Sequence, residues 1–74
     1  MKRKNKENIE MANMIIDMCQ SEVEKWGNIE EKIQDANLFT QQIKRERLNF
    51  CNEIIILNMK QIDFFKSLIE KWSK

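Results

Sequence analysis

Residues 48–72 read LNFCNEIIILNMKQIDFFKSLIEKW, and one apolar series within them runs through Leu48, Cys51, Ile55, Ile62, Phe65, Ile69 and Trp72, with Asn58 as its polar member. Steps of three and four residues bring a side chain back to the same face of an α-helix. One face over lies a second series, Phe50, Ile54, Leu57, Phe64 and Leu68, interrupted by Gln61. Together the two series cover well over half of the helix, more than a single facing helix can bury. The stretch therefore predicts a helix packed by more than one neighbour.

Working outward, the N-terminal half carries a matching series. Ile9, Ala12, Ile16, Cys19, Val23 and Trp26 repeat the three-four spacing, with Met11, Ile15 and Met18 flanking on one side and Glu10, Asn13, Asp17, Glu24 and Lys25 opposite. This is a second amphipathic helix. Methionines at 11, 14 and 18 give its flank an adaptable texture, suited to a contact face and equally common as core filler.

The junction between the halves has two candidate positions. Trp26-Gly27-Asn28 contains the only glycine of a chain without proline, and Asn28 with Glu31 has the form of a capping box. Yet Ile29, Ile33 and Ala36 stay in phase with Ile15 and Trp26, and a turn has no reason to preserve phase. The second candidate, Asp35 to Thr40, lacks glycine but coincides with a change in charge. Residues 7–36 hold two basic and eight acidic groups, whereas residues 37–74 hold seven basic and four acidic. Asn37 could close one helix there and Thr40 could cap the next. Two nearly equal arms of opposite charge make a sensible antiparallel pair, so this second break is preferred; use of both would give three helices. The expected fold is all-α, an antiparallel two-helix hairpin of coiled-coil type assembling into a helical bundle. Residues 1–7 are set apart as a basic flexible arm, and residues 8–74 form the single hairpin domain.

Composition points away from chemistry. Histidine and tyrosine are both absent from the 74 residues, which removes the commonest general base and a frequent zinc ligand. Cys19 and Cys51 are widely separated in sequence, fall on apolar stripes and have no histidine to activate them. A fold-back near residue 38 sets Cys19 opposite about residue 57 and Cys51 opposite about residue 25, too far apart for a disulfide. Reduced thiols suggest a cytoplasmic, reducing compartment. Glu31 and Asp35 pair on a polar face without the Glu-x-x-His partners of a carboxylate metal site. No catalytic residue, metal or cofactor is expected. The longest apolar run, Ile54 to Leu57, is four residues, well short of a membrane span, and the charged start lacks the apolar core of a secretory signal.

Trp26-Gly27 between two helical stretches resembles, in outline, the W-x-G hairpin proteins of type VII secretion, with the intervening residue missing and no terminal Y-x-x-x-D/E pattern. The hairpin plan is also similar in architecture to small secretion chaperones and plasmid copy-control dimers. Neither resemblance carries residue roles across.

Function is then expected of the helix surfaces: a small non-enzymatic protein-protein interaction module, an adaptor, chaperone or subunit of a helical complex. Its partner-binding residues would be Ile54, Leu57, Asn58, Phe64, Phe65, Leu68 and Trp72, meeting the helices of another protein or of another copy. The alternatives are a protein inhibitor of an enzyme and a nucleic-acid-binding regulator. The regulator would use Lys2, Arg3 and Lys4 of the arm with Lys44, Arg45 and Arg47.

Overall fold

The computed structural model describes the backbone of residues 2–37 and 40–74, with side chains from Asn5 onward in those spans. Two helices account for nearly all of it: α1 (Lys2–Asp35) and α2 (Gln41–Trp72), packed antiparallel along their whole length. The all-α hairpin read from the spacing is the fold. Among the described residues, no helix is long and apolar enough to cross a membrane.

The chain reverses at the second candidate break. Ala36 N–H closes a last short turn on the Ile33 carbonyl at 3.3 Å, and the path resumes helically at Gln41. Thr40 starts α2 as expected: its backbone is extended, at φ −67° and ψ 161°, and its Oγ1 accepts from the Ile43 N–H at 3.2 Å. One of the otherwise orphaned amides of the first turn is thereby satisfied. Leu38 and Phe39 lie outside the described residues. At the far end, Ser73 donates from both its N–H and its hydroxyl to the Ile69 carbonyl, at 2.9 and 2.7 Å.

Gly27 lies inside α1 with helical backbone, so the chemically stronger signal is not used. Asn28 is an exposed mid-helix residue, and Trp26 and Ile29 keep their phase across the glycine. The helix also begins earlier than expected, at Lys2, so residues 2–7, set apart above as an arm, have helical backbone. Lys, Arg and Glu are good helix formers, and no residue before Ile9 breaks the pattern.

The seam between the helices follows the two series. Ala12, Ile16 and Cys19 of α1 and Cys51 and Ile62 of α2 are buried, with Ile15, Val23, Phe65 and Ile69 packed against them. The vertical register is given by Cys19, whose Sγ lies 3.4 Å from Gln61 Oε1, and by Trp26, whose ring meets Phe50 edge-on with centroids 5.9 Å apart. Both thiols are free, and each faces the opposite helix at its own level.

The result is a rod. Its extents are 56 × 14 × 12 Å and its radius of gyration is 16.8 Å, where a compact domain of this length would have about 11 Å. Among the described residues five side chains are buried, and they include two cysteines and one alanine.

A Cβ built on Gly27 meets nothing within 4 Å. Gly27→Ala is therefore expected to raise stability by about 1 kcal/mol in thermal unfolding. A loss of stability would place a turn, not a helix, at this position.

Candidate interaction face

Each helix has two flanks beside the seam, and they differ sharply. Successive residues of an α-helix are about 100° apart, which puts Met11, Ile15, Met18 and Ile29 of α1 together, roughly a quarter-turn from the seam. The same geometry groups Ile43, Phe50, Ile54, Leu57, Gln61, Phe64 and Leu68 on one flank of α2. Because the helices are antiparallel, these two flanks point to the same side of the hairpin. Two contacts fix this: Trp26 against Phe50, and a shallow groove in which Ile15, Met18 and Glu22 stand beside Asn58 and Gln61. The opposite side is more polar, with Gln20, Asp63 and Lys66 around a second groove and Ile56 and Met59 as exposed apolar exceptions.

The apolar side is open to solvent. Met18 is 66% exposed, Phe64 59%, Leu57 57% and Phe50 50%. Ile43, Phe50, Leu57 and Phe64 recur every seven residues, a spacing that holds a stripe in line with a seam over many turns. Exposed large apolar side chains are common singly; a continuous row along one side of a small protein marks a surface that is covered in use.

The residues singled out from the sequence divide between seam and face. Leu57 and Phe64 are exposed on the face and Ile54 and Leu68 half-buried along it. Phe65 packs on the buried cluster of the hairpin, and half-buried Trp72 lines, with Asn5, Lys6 and Ile9, a groove at the open end of the rod. Phe64 and Phe65 nonetheless touch edge-on, with centroids 5.2 Å apart, so the face and the seam are mechanically joined there. Asn58 is half-buried on the seam line, and its Nδ2 donates to the Ile54 carbonyl at 2.9 Å. That bond satisfies one amide proton locally, on a carbonyl that already serves the helix.

Two polar groups on the apolar side are likewise engaged within the chain. Glu22 accepts from Trp26 Nε1 at 2.9 Å, and Gln61 Oε1 accepts from Cys19 Sγ. The contributions of Ile43 and of the α1 methionines are not in the sequence-derived set of partner residues. Ile43 was findable as the residue seven before Phe50.

Of the basic residues expected of a nucleic-acid site, the three in α2 lie on different faces of the helix. Lys44 is half-buried on the seam side of α2, Arg45 is exposed on the polar flank and Arg47 on the apolar flank. Side chains of Lys2, Arg3 and Lys4 lie outside the described residues. Among the described residues, no group of His, Cys, Asp and Glu could hold a metal ion.

Glu30, half-buried on the α1 seam line, faces Cys51 across the seam. The Cys51 thiol is 2% exposed, and its pKa is raised, by burial first and by the Glu30 carboxylate second, with its own backbone hydrogen bond and Arg47 opposing.

Comparisons with protein-family models, with curated proteins and with solved structures each return no match for this chain.

Two outcomes follow from the seam. The folded state holds the Cys51 proton more tightly than the unfolded chain does, so this contribution to stability is complete below the ordinary thiol value of about 8.5 and is lost as pH rises through and above it. Unfolding by denaturant at increasing pH should therefore show a decline above about pH 8.5 that is flatter in Cys51→Ala; an equal slope in both proteins contradicts this. Asn58→Leu should raise the unfolding temperature, by the equivalent of about 1 kcal/mol, since an apolar side chain there adds to the seam and the lost bond is local. Unchanged stability would mean that residue 58 contributes nothing to helix contact.

Proposed function

We propose that this protein is a non-enzymatic helical interaction module, which acts by docking its apolar side onto the helices of a protein partner. The observation that carries the reading is the gathering of unburied apolar residues from both helices, Met11 and Met18 with Phe50, Leu57 and Phe64, on one side of the hairpin. Two physical arguments support it. The seam alone buries little, so a partner that covers the face adds stability the isolated rod lacks. The side chains concerned include phenylalanines and methionines, types enriched at the cores of protein interfaces.

The groups that remain polar on this side suit such burial. The Glu22 carboxylate and the Gln61 amide already have partners in the chain, which lowers the cost of withdrawing them from water. The unlinked positions around the rim are charged, as expected where a docked surface meets solvent.

The test is recovery of the native complex from the source cells, with the tagged chain at its natural level. Leu57→Glu with Phe64→Glu should abolish the stoichiometric complex, whether its other member is this chain or a different one. Met59→Glu on the polar side should leave it intact, and circular dichroism should show both variants helical. A complex that survives the two glutamates on the face, or that is lost equally with Met59→Glu, overturns the reading.

A further inference from the structure

We propose that the occupant of the apolar side is a second copy of the same chain, related by a twofold axis parallel to the helices, so that α1 of each copy lies antiparallel on α2 of the other. This rests on the reading of the apolar side as a docking surface and names its partner. Three observations carry it.

Size comes first. A side measuring 56 by 14 Å offers on the order of 800 Å² per copy, the class of a stable specific interface.

Charge comes second. α1 (Lys2–Asp35) holds eight acidic and six basic groups, a net −2, and α2 (Gln41–Trp72) six basic and four acidic, a net +2. A twofold axis along the rod sets each acidic helix on a basic one. The other way of stacking two hairpins, with the axis across the rod, sets −2 against −2 and +2 against +2, and is disfavoured by the same charges.

Register comes third, and it is specific. An axis along the rod keeps residues at their own level, so α1 meets the second copy's α2 at the pairing seen within the hairpin, where Cys19 is level with Gln61 and Trp26 with Phe50. At those levels Lys25 comes against Glu53 of the second copy, Lys32 against Glu46, and Glu7 against Lys71, each within about one helical turn. All six side chains are exposed in the hairpin; at about 100° per residue Glu7, Lys25, Lys32 and Glu46 stand at the outer margin of the apolar side, and Glu53 and Lys71 at the rod's outer edge, about half a turn from the seam. Met14, exposed and without a place in the hairpin's own seam, comes level with Phe64 of the second copy. Opposite charges therefore bracket an apolar centre along the full length of the rod, the arrangement that fixes pairing in helical bundles.

Two variants test this together. One reverses the α1 margin, Glu7→Lys, Lys25→Glu and Lys32→Glu; the other reverses the α2 margin, Glu46→Lys, Glu53→Lys and Lys71→Glu. Each variant alone should self-associate about tenfold more weakly than the parent, or worse, in sedimentation equilibrium, since every marginal pair becomes like-charged. An equimolar mixture should recover association to within about threefold of the parent, because in the mixed dimer every pair is again opposite in sign. Circular dichroism of each variant separates weakened association from loss of the hairpin, and the mixture remains decisive in either case. Variants that self-associate like the parent, or a mixture no tighter than its components, overturn the arrangement. A parent chain that stays monomeric up to about 1 mM overturns the second copy as occupant. The docking reading is then judged separately, by whether a complex with a different protein is lost in Leu57→Glu with Phe64→Glu.

Discussion

Two helices joined by one turn share one seam, and a seam covers one stripe on each. That limit governs everything else in this molecule. The sequence writes two stripes on α2 and a wide one on α1; the hairpin consumes Cys51, Ile62, Phe65 and Ile69 against Ile16, Cys19 and Val23, and the remainder stays in water. Had the leftover residues been scattered around the rod, they would have meant little. Most of them, Ile56 and Met59 excepted, fall on one side, because the antiparallel arrangement brings the flank that follows the same rotation on each helix to the same side of the pair.

One-sidedness has an energetic consequence. A rod of this length exposes so much of itself that its own seam gives a small return for the backbone it orders. Covering the apolar side roughly converts two thin layers into one core, with α1 and α2 each gaining a second neighbour. In the proposed dimer the acidic and basic halves would acquire a use across the face, with the margin charges setting which helix lies on which.

Much of the fold could be read directly from residue spacing. The three-four series of both helices became the seam, and the phase that Trp26 and Ile29 keep across Gly27 correctly outweighed the glycine itself, whose Cβ position is open and whose backbone is helical. Thr40 capped α2 as its side chain allows. Other features needed three dimensions. Phe65 and Trp72 were grouped with Phe64 as partner-binding residues because spacing gives the width of an apolar surface and not the point at which a neighbour's coverage stops. Lys44, Arg45 and Arg47 are close in sequence and spread around the helix, since neighbours in a helical chain diverge by about 100°. Glu30 continues the α1 series at a position where an apolar residue was the simpler expectation, and only the level of Cys51 shows what it faces. Which flank of α1 shares a side with which flank of α2 depends on the antiparallel packing and its register, and the sequence contains neither until the turn is placed.

The central claim is that the apolar side is covered by a second copy of the chain and that the hairpin depends on this cover. The most direct measurement is the thermal unfolding midpoint of the purified chain, followed by circular dichroism over about a hundredfold range of concentration. Unfolding coupled to dissociation makes the midpoint climb with concentration. A midpoint that rises steadily, with helicity and association lost together, is the predicted result; a cooperative transition at one temperature throughout the range would contradict the account.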